Sequence, residues 1–299
     1  MTPSLLIGEK VDHAPGNSPD EFLLTGADFR RIAETLHSDT GIHLPDSKMA
    51  LVYSRLAKRL RALGLKSFRE YCALILTHEG ADERQRMIAA LTTNVTRFFR
   101  EPHHFEHLRQ TVLPPLLEAA RRGGRVRIWS AACSSGQEPY SIALTILSVM
   151  PDAADFDVKV LATDIDFNMI NEGKSGVYNE EALSSLPSAL RQRWFTSTSR
   201  QGGKKCGAGP ELRALVAFRE LNLIGSWPMK GPFHAIFCRN VVIYFEEQTQ
   251  SKIWSRFTPL LSPGGFLYIG HSERLAGPAA SAFSSEGVTT YRLREGAPR

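Results

Sequence analysis

"SAACSSGQEPYS" (130–141) joins two segments of opposite habit. Residues 126–129 before it are β-prone and apolar apart from Arg127, and residues 142–149 after it read as helix. A strand that enters a helix through small residues usually cradles a phosphate, held by free backbone N–H groups at the helix N-terminus. This turn has one glycine, Gly136, and puts Glu138 where the anion would sit. Like charges repel, so a nucleotide diphosphate suits it badly. There is no GxGxxG and no P-loop lysine.

The same grammar continues on both sides of the turn. "RVRIWSA" (125–131), "DVKVLATDID" (157–166), "LVAFREL" (215–221), "FHAIFCR" (233–239) and "GGFLYIGHS" (264–272) read as short strands. Helical stretches at 138–149, 167–173 and 247–260 lie between most of them. Such alternation predicts an α/β domain with a mostly parallel sheet covered on both faces. "VTTYRLRE" (288–295) adds an expected antiparallel edge, and the Gly-rich 197–211 an expected hairpin tip or loop. In open α/β sheets ligands bind beyond the carboxyl ends of strands. The residues expected there are Gly136 and Glu138, Asp164 and Asp166, Asn222 and Leu223, then Arg239, Asn240 and Tyr244. Asp164 is placed to accept hydrogen bonds from a ribose. A nucleoside that carries positive charge and no phosphate satisfies both Asp164 and Glu138. S-adenosylmethionine, with its ribose, ammonium and sulfonium, is such a ligand.

Upstream of about residue 120 the pattern is helical throughout. Thr25 is an expected N-cap and Gly41 an expected stop. In "DSKMALVYSRLAKRLRALG" (46–64), spacing residues roughly 100° apart puts Met49, Val52, Tyr53, Leu56, Leu60 and Leu63 on one side. Lys48, Arg55 and Arg59 form a neighbouring stripe, continued by Lys58. The expected division is a flexible leader at 1–24, a helical domain at 25–120 and an α/β domain at 121–299.

Composition narrows the class. Across 299 residues, 42% hydrophobic content is enough for a proper core. No run reaches the roughly 18 apolar residues of a membrane span, and the start lacks a signal-peptide pattern. The four cysteines form no CxxC pair and no metal spacing, which fits reduced thiols in a cytoplasmic protein. A net charge of +5 suits either an ordinary surface or an acidic partner.

"NVTRFFREPHHF" (94–105), "IWSAACSSGQEPYSIA" (128–143), "LATDID" (161–166), "LNL" (221–223), "FHAIFCRNVVIYF" (233–245) and "GHSE" (270–273) occur in this order. Together they closely resemble the chemotaxis receptor methyltransferases of the CheR type, over residues from about 25 to about 295. The resemblance implies a Rossmann-like methyltransferase domain preceded by a small all-helical domain, with a small β-subdomain in the region of 175–220. It implies S-adenosylmethionine as cofactor and S-adenosylhomocysteine as product. The implied acceptors are glutamate side chains on the cytoplasmic signalling helices of chemoreceptors. Matched by motif, Asn94, Thr96, Arg100, Glu138, Asp164, Asn222, Leu223, Arg239 and Asn240 are expected around the cofactor, with Gly136 letting it approach the turn. Arg100 and Tyr244 are the expected catalytic residues. Lys48, Arg55, Lys58 and Arg59 are the expected receptor-facing cations. The family leads one to expect an acid where this chain has Gln137, a change that would remove negative charge beside the site.

No metal is expected, because a carboxylate acceptor is already ionised near neutral pH and needs no base. His103, His104 and His271 are read as capping and packing residues. A monomer that neither inserts into membranes nor binds nucleic acid is the default. The rival readings are a nucleic-acid methyltransferase, which would show an interleaved basic and aromatic surface, and a non-catalytic cofactor-binding adaptor.

Overall fold

The structure, a computed structural model, describes residues 22–200 and 203–296, so the expected leader lies largely outside the described residues. Four helices come first: α1 (Gly26–Thr40), α2 (Met49–Leu63), α3 (Phe68–Ile75) and α4 (Ala81–Leu91). Thr25 caps α1 through a reciprocal capping box with Asp28, and Gly41 ends it at φ 76°. This is the stop that a left-handed glycine supplies. Their apolar faces close on one another around Phe29, Leu36, Leu56, Phe68 and Met87.

Helices α5 (Pro102–His107) and α6 (Leu113–Arg121) do not join that cluster. Their Phe105, Leu113 and Leu117, with Leu108 between the two helices, pack with Ile128, Ile142 and Phe237 against the sheet. The helical unit therefore closes near residue 92, not near 120. Helical periodicity could not separate the two groups, because it does not say which partner an apolar face will meet.

The chain continues through β1 (Val126–Ala131), α7 (Gln137–Val149), β2 (Val158–Asp164), α8 (Phe167–Ser175), β3 (Val177–Asn179), α9 (Ser188–Trp194), β4 (Phe195–Arg200) and β5 (Gly203–Ala208). Then follow α10 (Pro210–Leu215), β6 (Val216–Glu220), β7 (Phe233–Cys238), α11 (Glu247–Phe257), β8 (Leu261–Ile269), β9 (Phe283–Gly287) and β10 (Thr290–Leu293). Seven strands form the main sheet in the order β6-β2-β1-β7-β8-β10-β9. The first five run parallel, and β10 is antiparallel to both its neighbours. The expected edge strand is thus β10, but the edge itself is β9. The sequence "FSSEG" of β9 is largely polar and exposed, so no alternation announced it.

Strands β3, β5 and β4 make the small antiparallel sheet expected of the insert. It ends with β5, because β6 pairs in parallel with β2 from Val160↔Val216 onward and belongs to the main sheet. The insert is therefore shorter than 175–220.

From β1 the chain moves outward to β2 and β6 on one side, then returns to β7 on the other. The carboxyl ends of β1 and β7 flank this reversal, where open α/β sheets form their ligand crevice. The helical unit closes over it. Ile42 bridges Phe245, and the His43 N–H donates to the Tyr244 carbonyl at 2.9 Å. Asn222 Nδ2 donates to the Asp39 carbonyl at 2.6 Å.

Candidate functional site

A cavity occupies the crevice between the helical unit and the sheet. Asn94, Thr96, Arg100, Glu138, Asp164, Asn222, Leu223, Arg239, Asn240 and Tyr244 all line it. They come from four strand ends and from the segment joining the two units. That segment is held by its aromatic pair. Phe98 is buried and sits edge-on to Tyr178 and Phe195 of the small sheet. Phe99 packs on Phe105, and its N–H donates to Ser141 Oγ at 2.9 Å. With both rings anchored, Asn94, Thr96 and Arg100 are left against the cavity.

The quoted turn is tight. Ala132 (φ 63°), Ser134 (φ 49°) and Gly136 (φ 97°) all adopt left-handed backbone. Gly136 does not line the cavity, which corrects the expectation that it admits the ligand. A Cβ there would meet Tyr178 Oη at 2.8 Å and Gly173 Cα at 3.0 Å. Its small size serves packing of the turn against α8 and the small sheet. Gln137 also faces that way. Its side chain is buried, accepts from Ser135 Oγ at 2.9 Å and borders a separate pocket with Glu172, Tyr178 and Lys205. The missing acid at 137 therefore removes no charge from the main cavity.

Asp164 is buried at the end of β2 and accepts from the Ser134 N–H at 2.7 Å and the Asp166 N–H at 2.9 Å. Burial pushes its carboxyl up to about 6, against those two hydrogen bonds. Its two oxygens accept only from backbone N–H groups, fewer than the roughly four bonds they can take, so acceptor capacity is left over. Asp166, which caps α8, takes the Asn94 Nδ2–H at 2.8 Å. Asn94 is thereby oriented by a side chain that does not itself line the cavity. Asn222 spends its side chain locally. Its Nδ2 reaches Asp39, and its Oδ1 accepts from the Ile224 N–H at 3.1 Å. It shapes the wall more than it offers free polar groups.

The same cavity also carries a charge cluster. Arg239, with a side chain 1% exposed, donates through Nη1 to Glu138 Oε2 at 2.9 Å. Its Nη2 lies 3.2 Å from Glu101 Oε2 and also donates to the Arg100 carbonyl. Glu138 takes a further bond from Ser130 Oγ at 2.7 Å. Burial pushes the Glu138 carboxyl up, with Arg239 and Ser130 opposing. For Glu101, burial works in the same upward direction but is outweighed by the His271 hydrogen bond and the nearby Arg239 charge, which hold it down at about 2.

Glu101 and His271 are what the sequence reading missed. His271 is not a packing residue: it is exposed and its Nδ1 lies 3.0 Å from Glu101 Oε1. His104 does pack as expected. It is buried against Tyr268, Nε2 lies 2.9 Å from Thr289 Oγ1, and burial drives its value down to about 3. The acid of "GHSE" also has a plain role. Glu273 is buried and accepts from the backbone N–H groups of Asn240, Val241, Val242 and Gly270 at 2.5–2.9 Å. It fixes the loop that carries Arg239, Asn240 and Tyr244. No spacing rule could have announced the contacts of Glu101 with Arg239 or of Glu273 with residues 240–242, since each spans more than 30 residues of chain.

Among the described residues, Glu101, His103 and His104 form the one group spaced to hold a metal ion. Arg239 already stands beside Glu101 at 3.2 Å, so a cation there would have to displace the guanidinium. Thiol chemistry is disfavoured at Cys133 and Cys238, because burial pushes both well above the ordinary value.

The basic stripe of α2 proves divided. Arg55 Nη1 donates to the carbonyls of Ala90 (3.2 Å) and Thr92 (2.7 Å). Arg59 makes a two-pronged pair with buried Glu83 at 2.9 and 2.6 Å, and Tyr71 Oη donates to the same carboxylate at 3.0 Å. These two arginines brace the helical unit from within, which corrects their reading as receptor-facing cations. Lys48 and Lys58 are exposed.

Two family models match the chain: "CheR methyltransferase, all-alpha domain" over residues 27–92 and "CheR methyltransferase, SAM binding domain" over residues 94–292. A probable chemotaxis protein methyltransferase of Rhizobium etli is 57% identical over 257 residues, covering 86% of this chain and 96% of the relative. The chemotaxis protein methyltransferase of Escherichia coli is 42% identical, covering 92% and 93%. Chemotaxis protein methyltransferase 2 of Pseudomonas aeruginosa is 43% identical, covering 91% and 94%.

Proposed function

The chain belongs to the CheR methyltransferase family, and from that premise we propose that it methylates glutamate side-chain carboxylates on chemoreceptors, giving γ-methyl esters. S-adenosylmethionine is its cofactor. The observation that supports this reading best is the pairing of Asp164 and Glu138 in one cavity. Asp164 keeps acceptor capacity suited to a ribose diol, and the cluster of Glu138 suits a cation, not a phosphate. Ile42, Ile165, Leu223 and Phe245 give the same cavity apolar walls suited to a base.

When bound, S-adenosylmethionine supplies a methyl group made electrophilic by its sulfonium. The protein's part is to hold the acceptor. A glutamate carboxylate with an ordinary value of about 4.3 is ionised at neutral pH, so no side chain has to remove a proton. The residues have instead to position a weak nucleophile, which is worth several orders of magnitude in rate when well done. Arg100 lines the cavity and uses Nη1 on the Val95 carbonyl at 2.9 Å, with other N–H groups left for a carboxylate. Tyr244 lines the same cavity and can donate through its hydroxyl. Exposed Lys48 and Lys58 are the cations available to steer an acidic receptor surface.

Among the described residues no helix is long and apolar enough to cross a membrane. A cytoplasmic, monomeric enzyme acting on the cytoplasmic part of receptors is the reading we adopt. Incubation with methyl-labelled cofactor and a receptor cytoplasmic fragment tests it. Base-labile label on the receptor is expected. Label on nucleic acid, or cofactor binding with no transfer to any receptor, would overturn it.

A further inference from the structure

We propose that Glu101, which does not line the cavity, sets the net charge of its Glu138 end and so favours a cationic ligand over a neutral counterpart. This rests on the reading that Glu138 faces the charged part of the cofactor.

A guanidinium paired only with Glu138 would make a neutral couple and give little pull on a cation. Here a second carboxylate, Glu101, stands 3.2 Å from the other side of the guanidinium. Two carboxylates against one guanidinium leave one net negative charge. All three side chains are at most 12% exposed, so water screens that charge weakly.

Glu101 is held in place at a cost. It adopts left-handed backbone at φ 57°, ψ 69°, which is unfavourable for a residue with a Cβ. His271 at 3.0 Å and Asn240 Nδ2 at 3.4 Å meet its Oε1, leaving Oε2 turned toward Arg239. Two imidazoles stand near Glu101: His271, on the solvent side at 3.0 Å from Oε1, and buried His104, whose Nδ1 is 3.7 Å from Oε2 and which burial keeps neutral. Arg97 and Arg100 also line the cavity as cations, Arg100 with Nη1 on the Val95 carbonyl; both are common to the wild type and to every variant compared, so a change at Glu101 still alters the field by one unit.

S-adenosylmethionine carries one net positive charge, while S-adenosylhomocysteine, having lost the sulfonium, carries none. A single buried charge at this end therefore acts on the ratio of their affinities. Glu101 is a positioning and specificity residue, since it works through Arg239 and through its field.

Titration calorimetry of the full chain with each ligand separates charge from structure. Glu101→Gln is expected to weaken S-adenosylmethionine about tenfold and S-adenosylhomocysteine no more than about threefold. Arg239→Gln is expected to shift the ratio the opposite way, and it carries the test alone if Glu101→Gln does not fold. A merely structural role would lower both affinities together in both variants. Equal losses, or shifts of the same sign, would overturn the inference. Glu138→Gln is the control for the underlying reading. If that change leaves S-adenosylmethionine affinity intact, the assignment of Glu138 fails; if it weakens binding while the Glu101 ratio stays fixed, only the present inference fails.

Discussion

Arg239 donates to Glu138 at 2.9 Å and thereby ties the loop after β7 to the first turn of α7. The two residues are 101 positions apart in sequence and meet where the strand order reverses. The pair places a buried, charged wall at one end of the cavity, while buried Asp164 stands at another strand end. The consequences for binding and turnover can be measured separately.

Asp164 makes cofactor affinity pH-dependent. Its carboxyl is raised to about 6, and in the proposed role as ribose acceptor the ionised form is the one that takes both hydroxyls. Affinity is therefore full above that value and falls as pH drops through it, by up to tenfold per unit. Calorimetry from pH 7.5 to 5 should show the fall in the wild type. Asp164→Asn should bind weakly and fall less steeply with pH than the wild type, the remaining dependence coming from Glu138, whose carboxyl burial also raises.

Arg59 and the exposed lysines should separate stability from docking. Arg59→Ala leaves the Glu83 carboxylate buried without its partner, at a cost of about 3 kcal/mol. Urea unfolding should show it. Lys48→Glu with Lys58→Glu should change stability by less than about 0.5 kcal/mol, yet weaken receptor methylation and its salt dependence.

Gln137→Glu restores the acid that the family resemblance led us to expect. Because residue 137 faces the small sheet and not the main cavity, cofactor affinity should stay within about twofold. A gain of tenfold would show that the turn rearranges on binding.

Tyr244→Phe and Arg100→Ala should each lower turnover by roughly 10–100-fold, the worth of one or two hydrogen bonds made to the acceptor. Single-turnover kinetics with saturating cofactor would register the loss. Unchanged turnover in both would remove them from the catalytic step.

These outcomes also mark where sequence stops being informative. Glu138, Asp164 and Arg239 were legible because strand ends are recognisable and ligands gather beyond them. Gly136 and Gln137 were placed at the right turn but on the wrong side of it. A positive φ cannot be read from letters, and three such residues between 132 and 136 twist the turn. Arg55 and Arg59 looked like a solvent stripe because a helical wheel does not show α4 lying alongside. Glu101 and Glu273 were invisible as partners, since each acts on a loop brought near only by the fold.

The central claim is that a glutamate carboxylate receives the methyl group. Mass spectrometry of a receptor cytoplasmic fragment after reaction tests it most directly. The account predicts one added methyl on defined glutamate side chains, lost on mild base treatment and absent with Glu138→Gln enzyme. A base-stable methyl on lysine, arginine or a backbone amine would contradict it.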